Sequence, residues 1–370
     1  MFSIVISINA GMAIGKLGFI KELDTFRFIA VALVIVSHWV PDSVMNKLPN
    51  GYMGVTFFFG LSGFLISHNL LAVRKRIDEE RITSRGKALA NFYLRRTLRI
   101  FPLYYLVITL LFVLNKSIFE GNTIWFVTYS SNILFFIQQS WQGMLSHFWS
   151  LAVEEQFYLV WPIIILFVPA RYMLRLFVIT VASSITYKLL MTGFYPSLFY
   201  PDLLPIGAFD SFGLGAILAH QFVYRQPFRI LGTRNLLWTF PLFIGTLLLY
   251  VYGYTTWVLI FPYLTVLIIH KTVNGFTGLT ARLLSNRITV YLGKISYGLY
   301  VYHNFMPWLV RCFKGTETAY PIPVTPFLKN IGSNTIIILG LQLLLLIGIS
   351  TLSWYFFERP LNKLKVYFES

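Results

Sequence analysis

The sequence predicts an all-α integral membrane protein of about ten transmembrane helices with both termini cytoplasmic, and three observations predict it. Apolar runs long enough to span a bilayer recur along the whole chain. Hydrophobic residues make up 56% of it and charged ones only 12%, with a mean hydropathy of +0.68, a balance foreign to soluble globules. Basic residues alternate between dense and sparse from one inter-span segment to the next, as they do when lysine and arginine are held on the cytoplasmic side. The formal charge of +16 therefore reports topology first, and nucleic acid is not an expected partner. A single cysteine, Cys312, excludes an internal disulfide and a thiolate metal site.

Taken in order, residues 1–21 read as an N-terminal extension. Its opening stretch, MFSIVISINAGMAIG, lacks the basic start of a secretory signal and is too short to span, which suits an interfacial or poorly ordered piece. Residues 22–361 form the transmembrane domain and 362–370 a cytoplasmic tail. The first span runs from about Phe26 to Val40. A polar turn with Pro41 and Pro49 leads to the second, Gly54 to Ala72, whose small residues Gly60, Ser62 and Gly63 permit close helix packing. From Arg74 to Arg99 nine basic residues make the largest charged loop. Pro102 breaks the helix, and a third span covers Leu103 to Leu114. Residues 122–146, aromatic and amide-rich, suit an interfacial or re-entrant piece. The fourth span runs from Phe148 to Pro169 and the fifth from Leu176 to Leu190. The sixth, Ile206 to Val223, carries Asp210. The seventh to tenth cover Leu236 to Tyr252, Trp257 to Val273, Val290 to Val310 and Thr335 to Phe357. Ten spans put both termini on one side. With that side inside, 24 of the 30 lysines and arginines fall in inner segments and six, Lys188 among them, in outer ones. No internal repeat suggests the inverted halves of a transporter.

Within the first span, Arg27 and His38 are eleven residues apart. On a helix that is about 1100° of rotation, within about 20° of three full turns, and about 16 Å of rise, so the two share a face. Ionisable side chains in an apolar span cost free energy unless they line a cavity or meet a partner, so the pair suggests a polar path through the membrane. The plainer alternative is an arginine that snorkels to head groups and a histidine bonded to a neighbouring helix. Arg95, Arg96 and Arg99, in FYLRRTLRIF, project to one side of a helix. Their planar forks suit a multiply phosphorylated ligand, and equally an anionic lipid surface. Glu154 and Glu155 open the fourth span about 100° apart, so at most one faces a given cavity. A carboxylate there, near a histidine, would orient the imidazole and support hydroxyl activation. His303 is either a second cavity residue or an interhelical hydrogen bonder. Asp210 is an intramembrane carboxylate without an obvious partner, and Glu358 with Arg359 reads as a structural stop before Pro360. His68, His147, His220 and His270 lack metal-ligand spacing, and no metal is expected.

These motifs together resemble the acyltransferase-3 family, integral membrane O-acyltransferases of bacterial surface glycans. The points of resemblance are LDTFRFIAVALVIVSH, FFFGLSGFLI, FYLRRTLRIFPLYY, FWSLAVEEQFYLVWP, ISYGLYVYHNF and FFERP, which fall in order from about residue 22 to 361. The family's fold is a ten-helix domain with both termini inside. The resemblance implies that Arg27 and His38 belong to the acyl-transfer site and that Arg96 and Arg99, with Arg95 beside them, contact an acyl-CoA co-substrate. Ser150, Glu154 and His303 occupy family motif positions, and Glu154 is grouped with the catalytic set. Many relatives carry an arginine where this chain has IGAFDSF, so Asp210 takes no role from the family. No esterase-like domain follows the last span in this sequence, which leaves transfer to the membrane domain or to a separate protein.

The expected reaction moves an acyl group, acetyl before others, from cytoplasmic acyl-CoA to a sugar hydroxyl of an O-antigen, exopolysaccharide or similar glycan across the bacterial inner membrane. The arginines would hold the nucleotide phosphates, and the pantetheine arm would thread along the Arg27–His38 stripe. His38 would act as general base, or alternatively carry the acyl group itself. A rival reading is a transporter or flippase that uses Arg27, His38, Glu154 and Asp210 as a substrate or proton pathway. Missing repeat symmetry and the arginine cluster weigh against it.

Overall fold

The computed structural model describes residues 18–40, 48–79, 84–195, 201–226, 231–251, 260–309 and 335–368. Most of the N-terminal extension, the turn at Pro41 and the segment around Cys312 lie outside them. Among the described residues the chain is all helix. Its helices are α1 (Lys21–Trp39), α2 (Asn50–Asp78), α3 (Arg85–Asn115), α4 (Thr123–Val127), α5 (Ser131–Gln138), α6 (Phe148–Phe167), α7 (Met173–Phe194), α8 (Pro205–Tyr224), α9 (Leu236–Val251), α10 (Ile260–Asn274), α11 (Gly278–Leu284), α12 (Arg287–Lys294), α13 (Ser296–Tyr302) and α14 (Thr335–Ser353).

Six of the described helices are long and apolar enough to cross a membrane: α2, α3, α6, α7, α8 and α14 with its continuation to Phe368. The chain is thus a membrane protein. The other four expected spans are not among these six. α1 carries Lys21, Glu22, Asp24 and Arg27 in its first two turns. α9 and α10 are described over Leu236–Val251 and Ile260–Asn274, and residues 252–259 between them lie outside the described residues. The ninth expected span is not one helix. It divides into α12, α13 and a 3-10 turn, His303–Phe305, with a break at Ile295.

Two further expectations change. The charged segment Arg74 to Arg99 is mostly helix rather than loop, because α2 and α3 run 29 and 31 residues and overshoot the bilayer. α3 also passes through Pro102 without ending there, losing one hydrogen bond in a helix long enough to absorb it.

α2 is the axis of the fold, packed against α1, α6, α8 and α10. Its most apolar window is 78% buried, whereas that of α14 is 17% buried and presents Leu343, Leu344, Leu352 and Phe356 outward, as a lipid-facing helix does. The α2–α8 contact is backbone on backbone. A Cβ on Gly63 would sit 2.3 Å from the Phe212 carbonyl oxygen, and one on Gly215 would sit 2.4 Å from that of Gly60. Expected small residues thus do close the helices, with α8 supplying the matching glycine. Arg74, 2% exposed, donates from Nη1 to the carbonyls of Ile165 (2.7 Å) and Val168 (2.5 Å), capping the C-terminal end of α6.

Candidate active site

A cavity opens between α1, α2, α3, α6 and α13. Its polar lining brings together Arg27, Arg96, Arg99, Ser62, Ser150, Glu154 and Glu155, with Tyr158, Ser296, Tyr297 and Tyr300. Residues spread over 273 positions of sequence thus converge on one space, and three of the expected arginines face into it. Arg95 is not part of the lining.

Each side chain is held from behind. Asp24, buried one turn below Arg27, takes its Nη1 at 2.5 Å. The backbone of that turn is fixed by α12, where a Cβ on Gly293 would fall 1.7 Å from the Asp24 carbonyl oxygen. The Arg96 guanidinium lies over the Tyr158 ring, 4.5 Å from its centroid, a cation–π contact that orients the fork without consuming its donors. Arg99 is open to the cavity. Ser62 Oγ donates to Glu154 Oε1 at 3.0 Å, so Tyr158, whose hydroxyl is 2.9 Å from Ser62 Oγ, donates to the serine. Tyr297 donates to the Ile100 carbonyl at 2.8 Å. Glu155 differs from these. Its Oε1 is buried and without a hydrogen-bond partner, leaving an acceptor ready for a donor.

The two glutamates correct an expectation, since both line the cavity despite their angular separation. The cavity wraps around an edge of α6, so residues about 100° apart still share it. Glu154 also does not orient His38. Its bonds go to Ser62, and His38 is held by its own helix, with Nδ1 2.9 Å from the Val34 carbonyl oxygen. A carbonyl only accepts, so Nδ1 carries the proton and Nε2 presents a lone pair.

His38 itself is not in the cavity lining, although Arg27 is. Tyr300 lines the cavity, its hydroxyl bonding Ser150 Oγ and the His147 carbonyl oxygen, and its ring packs on His303 with 5.5 Å between centroids. Three imidazoles stand together there. His38 and His303 have ring centroids 4.9 Å apart, and His303 and His147 likewise 4.9 Å. His303 is therefore the neighbour of His38 rather than a lone interhelical bonder. Asn304 Nδ2, donating to the Met144 carbonyl at 3.0 Å, ties the two loops that carry His147 and His303. Sequence reasoning passed over His147, Tyr300, Ser62 and Tyr158 as site residues, and admitted Glu155 only in place of Glu154. For His147 and Tyr300 the available signal was their place inside the HFWSL and ISYGLYVYHNF stretches.

Asp210 lies elsewhere. Fully buried in α8, it pairs with Lys188 Nζ of α7 at 2.8 Å, and Tyr52 takes a further bond from the same ammonium at 3.1 Å. Lys188, expected in an outer loop, is thus a buried helical residue and the missing partner.

The family model described as an acyltransferase domain, Acyl_transf_3, matches residues 20–362. A protein of Staphylococcus aureus (strain COL) provisionally named an O-acetyltransferase is 29% identical over 332 residues, covering 78% of this chain and 50% of its own. The O-acetyltransferase OatA of Staphylococcus aureus (strain NCTC 8325 / PS 47) is 26% identical over 383 residues, covering 93% of this chain and 57% of its own. The peptidoglycan O-acetyltransferase OatA of Listeria monocytogenes is 29% identical over 164 residues, covering 40% and 24%. The chain spans about half the length of the curated relatives it matches first. No solved structure matches it significantly. With a family match over nearly its whole length, the chain belongs to the acyltransferase-3 family.

Proposed function

We propose that this protein is a membrane O-acetyltransferase that takes an acetyl group from acyl-CoA on the cytoplasmic side and delivers it to a sugar hydroxyl of a surface glycan. The observation that carries the reading is the cavity in which Arg27, Arg96 and Arg99 converge and which Tyr300 also lines, with His303 packed on Tyr300 and His38 packed on His303. Guanidinium forks facing inward suit the phosphates of coenzyme A better than a lipid surface outside. The unpartnered Oε1 of Glu155 suits an amide N–H, of which the pantetheine arm has two. Movement of Tyr300 away from Ser150 would join the arginine end to the histidine end.

In the reaction, His38 Nε2 takes the proton of the acceptor hydroxyl as its oxygen attacks the thioester carbon. When the tetrahedral intermediate collapses, the C–S bond breaks and His38 returns the proton to the departing sulfur. The ten-span count with both termini inside, and residence in the bacterial inner membrane, complete the proposal. They are supported by the 24 to 6 division of basic residues. A peptidoglycan sugar is the first acceptor to try, because the Listeria monocytogenes relative is named for that substrate. O-antigen and exopolysaccharide follow. The transporter reading loses one of its residues, since Asp210 is consumed by Lys188 away from the cavity.

The test is release of free coenzyme A thiol by the purified protein in lipid nanodiscs, given acetyl-CoA with and without glycan fragments. Acceptor-dependent thiol release is expected. Absence of release with every acceptor offered, from protein shown to be folded, refutes the reading.

A further inference from the structure

His38 and His303 meet edge to face, one from α1 and the other from the 3-10 turn after α13. Each has Nδ1 at a backbone carbonyl of its own segment, Val34 at 2.9 Å for His38 and Tyr300 at 2.6 Å for His303. Both Nδ1 atoms must therefore donate, and in the neutral state both rings hold a lone pair at Nε2. His303 has no solvent exposure, and its Nε2 is buried without a partner. An acceptor left in that condition costs free energy until a donor reaches it.

The neighbours of His303 limit what that donor can be. His147 faces carbonyl oxygens at both nitrogens, Met144 and Val301, each at 3.1 Å. Tyr300 directs its hydroxyl to Ser150 and the His147 carbonyl oxygen. Trp39 donates to the His303 carbonyl, not to its ring. Of the groups packed on the imidazole among the described residues, that leaves His38. Neutral His38 has no proton to give at Nε2, and protonated His38 does.

We propose that His303 is a positioning residue for acyl transfer: its Nε2 accepts a hydrogen bond from Nε2–H of His38 once His38 has taken the acceptor's proton. The inference rests on the reading of His38 as general base. The hydroxyl proton moves to His38 Nε2 while the new C–O bond forms, and the charged ring is then held by His303. The proton leaves to the sulfur when the C–S bond breaks, and His303 ends as it began. Nothing is oxidised, and no further reactant enters. The arrangement stabilises the charged histidine only while charge is present, which lowers the barrier rather than tightening substrate binding.

Two variants of similar bulk separate this from simple packing. His303→Gln keeps an acceptor, whereas His303→Met has none of comparable strength. In the coenzyme A release assay, His303→Met should lose about ten- to a hundredfold in kcat, the worth of a hydrogen bond to a charged group. Its KM for acetyl-CoA should stay within about twofold, and His303→Gln should recover most of the loss. Wild-type kcat in His303→Met, or equal damage to kcat and KM in both variants, overturns the inference. Should neither variant fold, a proton inventory of the wild-type protein in mixed light and heavy water decides. A bowed plot is expected for one proton transferred and one shared, and a straight line refutes sharing. Failure of the wild-type protein to release coenzyme A would defeat the proposed function itself, a result distinct from any of these.

Discussion

Lys188 and Asp210 form an ion pair at 2.8 Å in which the carboxylate is fully buried and the ammonium is 4% exposed. Asp210 Oδ1 is further satisfied by the backbone N–H of Ser211 at 2.6 Å, and Asp202 stands 4.0 Å from the same ammonium. Removing one partner of such a pair strands a buried charge at a cost of about 3–5 kcal/mol, whereas replacing both with apolar groups is often neutral. Lys188→Met and Asp210→Leu alone should each lower the melting temperature of detergent-solubilised protein sharply. The double variant should regain much of the loss. A double variant as unstable as the sum of the singles would mean that the two charges act independently.

Replacing Arg96 and Arg99 with alanine should weaken coenzyme A binding by about ten- to a hundredfold for each guanidinium–phosphate pair removed, as read by titration calorimetry. Lysine at either position should restore only part of the affinity, since an ammonium lacks the planar fork. Arg95→Ala, a change outside the cavity lining, should bind as wild type does. Unchanged affinity in the Arg96/Arg99 double variant would return these residues to a lipid-anchoring role.

His38→Gln removes the titratable group while keeping most of the bulk. Turnover should fall by about a hundred- to ten-thousandfold with coenzyme A affinity intact, because general-base assistance is lost and the arginine end of the cavity is untouched. Arg27→Ala should impair donor binding and turnover together, since Arg27 lines the cavity and its loss leaves Asp24 buried without a cation. A His38→Gln protein that transfers within a few-fold of wild type would reduce the histidine to packing.

Orientation can be read with single cysteines in a Cys312→Ser background. Glu79→Cys, just beyond α2, should be shielded from a membrane-impermeant maleimide in intact cells. Glu120→Cys, after α3, should label. The reverse pattern would invert the orientation argued from charge.

Much of the site was legible because its residues sit in local motifs. Arg27, Arg96, Arg99, Ser150 and Glu154 each lie in a recognisable stretch, and the fold brings all five to one cavity. What the sequence concealed was pairing across helices. Nothing local tells that Lys188, 22 positions before Asp210, turns inward to meet it. Nor does helical phase reveal that a cavity curves round α6 far enough to take both Glu154 and Glu155. Arg27 lines the cavity and His38 does not, and Tyr300, from another element, lines it and packs on His303, the neighbour of His38. Six of the ten expected spans reappear as described helices long and apolar enough to cross, and the ninth is divided at Ile295.

The Arg74 cap at the end of α6 has a mechanical consequence. Together with Trp161 Nε1 donating to Ser67 Oγ at 2.8 Å and Ser62 donating to Glu154, it pins α2 to α6 at three heights along their length. Sliding either helix along the other would break all three bonds at once, so the two helices are held as one unit. The 287–305 segment is built differently, with breaks at Ile295 and His303 where a continuous span would have none.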